Sequence, residues 1–259
     1  MSDAPGTSSG GEARPRLWSE VDLEAVAENF RTVRSLVGPK TGILAVVKAD
    51  GYGHGAEAVA ARLGSEGASG FGVGDASEAL ALRASGIDLP ILILGAVVPA
   101  EVPDVVGADI SVSLFSRSMA RLLDREARSS GRRVKVHLKV DTGMERLGVR
   151  PENVLPVARE ASALAGLEVQ GVFTHCPDSD AALVHTQLLA FGGVLEQHAG
   201  VAEHGFDAGR LVLLLGGVAG RVGLFPQLGD RDVLFGEFFG GTLRRRRTRG
   251  HQRQREQKQ

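Results

Sequence analysis

Residues 43–95 read ILAVVKADGYGHGAEAVAARLGSEGASGFGVGDASEALALRASGIDLPILILG, and this stretch decides the fold. Short apolar runs at 43–47, 70–74 and 91–95 alternate with helical patterning, as at 76–85. Parallel strands need crossovers of that size, so the alternation predicts βαβ units. The rhythm continues through runs at 109–114, 134–140, 168–174 and 211–215, with a weaker one at 232–236 and helical stretches at 117–130 and 180–204. Seven or eight such units approach the roughly 250 residues typical of a barrel. The expected class is α/β, a (β/α)8 TIM-type barrel with its last unit incomplete. A doubly wound open sheet is the alternative. In both architectures ligands bind at the carboxyl ends of the strands.

Working outward, Asp22 can cap a helix whose apolar positions Leu23, Val26, Ala27, Phe30, Val33 and Val37 recur at three- and four-residue steps, with Gly38-Pro39 ending it. Residues 1–16 are rich in Ser, Gly, Pro and charge and contain no apolar targeting run, which predicts a flexible leader. Residues 244–259 hold eight basic residues and one acidic one, so 242–259 reads as a disordered basic tail and 17–241 as the barrel domain.

The whole chain has 259 residues, 43% hydrophobic, with a formal net charge of −1. Such a balance offers no global field for nucleic acid or a membrane surface. The tail lacks the interleaved aromatics of a nucleic-acid platform. The run ILILGAVV at 91–98 falls well short of the roughly 18 apolar residues a membrane span needs. One cysteine, Cys176, excludes an internal disulfide, and the expected address is cytoplasmic. The seven histidines never meet Cys or carboxylates at zinc-ligand spacing, so no metal is expected.

Chemistry is sought just beyond each apolar run. The first runs straight into Lys48, followed by Tyr52 and His54. A lysine where a strand opens into a glycine-rich turn is partly desolvated, which favours its neutral, nucleophilic form. Lys48 is thus a candidate Schiff-base amine; a snorkelling rim lysine is the other reading. In the fifth run Val134, Val136, Leu138 and Val140 share one face, while Lys135, His137 and Lys139 share the other. A parallel barrel strand is covered on both sides, so Lys139, Asp141 and Arg146 read as a cleft-lining charged group, with a solvated strand end as the alternative. The sixth run ends in His175, a ring-contacting or acid-base candidate or else a structural histidine, and Cys176, best read as a packed thiol. After the seventh, the glycine-rich turn 216–220, with Gly217, can face a phosphate with its N–H groups.

AVVKADGYGHG at 45–55, KVDTGMERLGV at 139–149 and GVFTHCPDSD at 171–180 together resemble, in order and spacing, three signature segments of the alanine racemase family. WSEVDLEAVAENF at 18–30 and SEALALRASGIDLPILILG at 77–95 fit it as well. The resemblance covers residues 17–210 and implies a pyridoxal 5′-phosphate isomerase that interconverts L- and D-alanine, D-alanine being a cell-wall precursor. It further implies a homodimer and a C-terminal β domain after the barrel. Lys48 would be the cofactor lysine and one base, Tyr52 would hold the phosphate, His175 would lie against the pyridine ring, and Leu94 would line the pocket. Arg146 would bond near the phenolic oxygen, and Lys139 would be the lysine carbamylated in many members to orient that arginine.

Beyond residue 210 the match fails. Gly217-Val218-Ala219 lacks the hydroxyl of the family's phosphate loop, Leu234 stands where an arginine contacts the pyridine nitrogen, and the basic run replaces the β domain. The family's second base is a tyrosine of the partner subunit's β domain, and this chain has only Tyr52. The expectation is therefore a truncated, weakly active racemase, or alternatively a single-domain cofactor carrier without turnover.

Overall fold

Helix α1 (Leu23–Val37) starts directly after Asp22 and stops at Gly38, whose φ of +78° is a left-handed conformation that glycine adopts freely. Its stripe Val26, Ala27 and Phe30 is buried, as the spacing predicts. The computed structural model describes residues 19–39, 41–176, 181–199, 211–215 and 232–236. All helices and strands of the described residues fall in one unit, Leu23–Gly240. The leader at 1–16, the tail at 242–259 and any helix between or after the last two strands lie outside the described residues.

Eight parallel strands follow in order: β1 (Gly42–Val46), β2 (Gly70–Val73), β3 (Ile91–Ile93), β4 (Ser111–Leu114), β5 (Val134–Val140), β6 (Leu167–Cys176), β7 (Leu211–Leu215) and β8 (Asp232–Gly236). Each pairs with the next, and β8 returns to β1, so the sheet closes into a barrel rather than an open sheet. The weak run at 232–236 is the closing strand. The crossovers are α2 (Lys48–Gly53) and α3 (Ala56–Ser65), then α4 (Ala76–Ala84), α5 (Val102–Gly107), α6 (Arg117–Ser129), α7 (Val154–Ala163) and, after β6, α8 (Ala181–Ala199). Among the described residues no helix is long and apolar enough to cross a membrane.

Two apolar layers hold the barrel. The larger lies between strands and helices, where Ile43, Val73, Ile91, Val112, Val136 and Leu138 meet residues such as Phe30, Leu63, Leu82 and Leu123. Each fully buried aliphatic contributes roughly 1.5–3 kcal/mol. The smaller fills the interior: Leu44, Val46, Leu92, Leu94 and Phe173, with Tyr52 packed against them. Glycines make room for that cluster, since a Cβ on Gly72 would lie 3.0 Å from Leu94 Cδ1 and 3.3 Å from Leu44 Cδ2.

Several strand boundaries differ from the apolar runs. β4 starts at Ser111 because Asp109 has φ +53°, incompatible with a strand. β3 stops at Ile93, leaving Leu94 just beyond its end. β6 carries one extra residue: Val136 pairs with Val169 but His137 with Gly171, so Gln170 is a bulge that resets the alternation.

Candidate active site at the carboxyl ends of the strands

Past Val46 the backbone turns abruptly. Val47 N–H donates to Gly72 O at 2.8 Å, and the chain then enters α2, where Ala49, Asp50, Gly51 and Tyr52 have φ between +51° and +60°. This is a turn of left-handed helix, costing about 1–2 kcal/mol at each non-glycine residue. Local bonds hold it: Gly51 N–H to Val47 O at 2.8 Å, Gly55 N–H to Asp50 O at 2.9 Å, and Ala56 N–H to Asp50 Oδ1 at 2.9 Å. The imidazole of His54 supports the same turn, its Nδ1 2.9 Å from Gly51 O. Glu78, from α4, accepts Ala49 N–H at 2.6 Å.

The turn brings Lys48 and Tyr52 together. Lys48 Nζ lies 5.5 Å from the centre of the Tyr52 ring, within cation–π range. Tyr52 in turn packs on the interior cluster that contains Leu94 and Phe173. On β5, Lys139 points into the same interior at 4% exposure, with its Nζ 5.5 Å from the Phe173 ring. Burial lowers the Lys139 ammonium from its usual value to about 8. The Arg146 and Lys48 charges push it the same way, and Asp141 opposes them. The three cations are therefore electrostatic neighbours.

Arg146 sits exposed on the loop after β5. That loop is folded by Asp141, whose Oδ1 accepts the N–H groups of Gly143 and Glu145, each at 3.0 Å. Burial pushes the Asp141 carboxyl up, but those N–H groups, that of Met144 and the Lys139 charge outweigh it and hold the carboxyl below its ordinary range. The loop closes through Asp141 N–H to Val149 O and Val149 N–H to Lys139 O, at 2.9 and 2.8 Å. Asp141 thus shapes the loop that presents Arg146, and among the described residues neither Lys139 nor Arg146 has an ion pair with a carboxylate. The structure brings Lys139, Asp141 and Arg146 within electrostatic reach of one another, with this division of labour.

His175 is two residues beyond Phe173 on β6, hence on the same interior-facing side of the strand. Thr174 between them turns outward, donating to Val140 O at 3.0 Å and lying 2.8 Å from Thr142 Oγ1. Cys176 is fully buried, and burial pushes its thiol up to about 11, which keeps it protonated and inert as a nucleophile. Gly217 lies outside the described residues. Leu234 is described only as a position in β8, paired with Ile43 and Leu213. A cavity of about 290 Å³ lies outside the barrel, lined by Val47, Asp50, Glu57, Val73, Glu78 and Leu82. None of the three cations lines it, so it is separate from this site.

A profile of the family described as "Alanine racemase, N-terminal domain" matches residues 21–207. The chain belongs to the alanine racemase family. It is 42% identical over 193 residues to the alanine racemase of Desulfovibrio desulfuricans, covering 74% of this chain and 52% of that one. The alanine racemase of Symbiobacterium thermophilum is 44% identical over 163 residues, 63% of this chain and 43% of the relative. A solved alanine racemase of Clostridium difficile superposes with a TM-score of 0.79 at 27% identity, over 89% of this chain and 64% of that one. The chain spans about half the length of the curated relatives it matches.

Within the barrel, Lys48, Tyr52, Leu94 and Lys139 meet around one interior cluster, with Arg146 on the loop after β5 and His175 near the carboxyl end of β6. Sequence reasoning missed three participants. Phe173 sits beneath Lys139, and its period-two relation to His175 was the available signal. Gln187 is buried at 2% exposure with neither amide atom hydrogen-bonded among the described residues, its Nε2 about 3.2 Å from where a Cβ on Gly143 would sit. Glu78 reads in sequence as half of a capping box, which conceals its contact with Ala49.

Proposed function

We propose that this chain binds pyridoxal 5′-phosphate at the mouth of its barrel through Lys48 and promotes proton exchange at the α-carbon of a small amino acid, alanine foremost, with slow turnover by these 259 residues alone. The observation that carries this reading is the placement of Lys48 Nζ against Tyr52 and the interior cluster, within electrostatic reach of buried Lys139. The donor set fits an anionic cofactor: two cations without carboxylate partners among the described residues, an amine at a strand end, and an apolar floor.

Lys48 would hold the aldehyde end and Tyr52 the phosphate. Leu94 would pack against the ring, His175 would lie on it, and Arg146 would bond near the phenolic oxygen. Gly217 would add backbone N–H groups to the phosphate. When bound, the cofactor supplies an electron sink that makes the substrate α-proton acidic. Lys48 Nζ then takes that proton from one face and returns it. Lys139, lowered to about 8, has an accessible neutral amine near neutral pH, the form that carbon dioxide carbamylates with release of a proton; as a carbamate it would orient Arg146.

Racemisation also needs an acid-base group on the opposite face. The only tyrosine of these residues is Tyr52, already committed beside Lys48. A placed acid-base group is worth roughly 10²–10⁴-fold, which sets the expected deficit in turnover. The test pairs a spectrum with an exchange assay. Added cofactor should produce a band near the visible edge that Lys48→Ala abolishes, and the chain in heavy water should exchange the α-proton of alanine faster than it racemises it. Binding with no exchange would instead favour the carrier reading, for which the single tyrosine speaks. A chain that shows no band contradicts both.

A further inference from the structure

We propose that Glu78 is a positioning residue for Lys48: from outside the barrel its carboxylate clamps the left-handed turn that aims the amine into the mouth. The inference rests on the reading that Lys48 captures the cofactor. A Glu three residues after a capping Asp ordinarily reaches back to the N–H of the cap itself. Asp75 does cap α4, accepting Glu78 N–H at 3.0 Å, and this bond, with one from Ser77, holds its carboxyl below the usual range. Yet the Glu78 carboxylate goes elsewhere. Its Oε2 accepts Gly74 N–H at 2.7 Å, at the end of β2, and its Oε1 accepts Ala49 N–H at 2.6 Å, on the residue that follows Lys48.

One side chain, 29 residues from Ala49 in sequence, therefore ties the lysine turn to the neighbouring strand through two short charge-assisted bonds. The packing is equally specific. A Cβ on Gly74 would lie 3.3 Å from Glu78 Oε2 and 3.7 Å from Lys48 Cβ, so the carboxylate and the lysine stem share the space that this glycine leaves. The turn needs such a clamp, because strained φ values at Ala49, Asp50 and Tyr52 persist only where the surroundings over-determine them. Released from Glu78, the turn relaxes and Lys48 Nζ leaves its station above Tyr52.

The test compares the parent chain with Glu78→Ala and Glu78→Gln, and uses Asp75→Ala as the control that weakens the same helix without touching Ala49. Three quantities are read well below each melting midpoint: affinity for pyridoxal 5′-phosphate by absorbance, the rate at which borohydride fixes it on Lys48, and, without cofactor, hydrogen exchange of the Ala49 and Gly74 amides. Loss of both bonds predicts cofactor binding weaker by about tenfold or more in Glu78→Ala, with slower fixation and faster exchange at both amides. Glu78→Gln, which keeps one acceptor oxygen, should fall between, and it carries the prediction if the alanine variant does not fold. Asp75→Ala should match the parent in all three. Glu78 variants that bind and fix cofactor like the parent, or an Asp75→Ala as impaired as they are, would overturn the proposal. A parent chain that never fixes cofactor at Lys48 overturns the cofactor reading instead, and unchanged amide exchange in the Glu78 variants would then reject the clamp on its own.

Discussion

Lys139 pairs deep burial with positive neighbours, and its titration follows from that. Its pKa is about 8 in the folded chain against an ordinary 10.5, so between those values the unfolded chain binds more protons and stability rises with pH. Below about 8 both states are protonated and the full cost of the buried charge is present. Lys139→Met removes that cost. In urea unfolding free of carbon dioxide, the variant should exceed the parent near pH 7 by an amount on the order of 3 kcal/mol, and the gap should close as pH rises to about 10. A pH-independent gap would mean that Lys139 is not charged and desolvated in the folded state. At this scale the sequence was legible wherever a residue type and a strand end coincide, as for Lys48, Lys139 and His175. It was opaque for Gln187, which is buried beside Gly143 of a distant loop, and for Glu78, whose partner Ala49 is 29 residues away: nothing local distinguishes a Glu that caps its own helix from one that reaches across to another turn.

Among elements, the Asp141–Val149 loop is the most tightly specified part of the mouth. Gly148 has φ +143°, and a Cβ there would lie 2.6 Å from Asp141 N and 2.9 Å from Asp141 Cβ. Gly148→Ala should open the loop at a cost of about 1–3 kcal/mol and displace Arg146. Calorimetry would register the lowered midpoint, and cofactor titration a weakened affinity larger than a surface control such as Ser129→Ala produces; unchanged affinity would detach the loop from the site. The α1 pattern and all eight strands were readable from apolar periodicity. The bulge at Gln170 was not, because one inserted residue leaves the composition of a strand intact while shifting its register. The left-handed turn was hidden too: KADGYG looks like any glycine-rich loop, and the strained residues include Ala49 and Tyr52, which seldom adopt that conformation.

For the whole molecule, closure of β8 on β1 converts a row of strand ends into a single mouth, which is why residues from β1, β3, β5 and β6 can meet one ligand. A ligand that binds only the closed barrel must stabilise it. At a free cofactor concentration of 100 times its dissociation constant, the gain should be about 2.7 kcal/mol, seen as a rise in melting midpoint that Lys48→Ala diminishes. A midpoint indifferent to cofactor would separate binding from the folded barrel. The chain spans about half the length of the curated relatives it matches, so turnover by this chain is to be measured on the chain itself rather than carried over from them.

The most direct measurement is peptide mapping after borohydride reduction of the chain with pyridoxal 5′-phosphate. One modified peptide is expected, carrying the reduced cofactor on Lys48 and disappearing in Lys48→Ala with no compensating label on Lys139. Label spread over surface lysines, or retained in the variant, would contradict it.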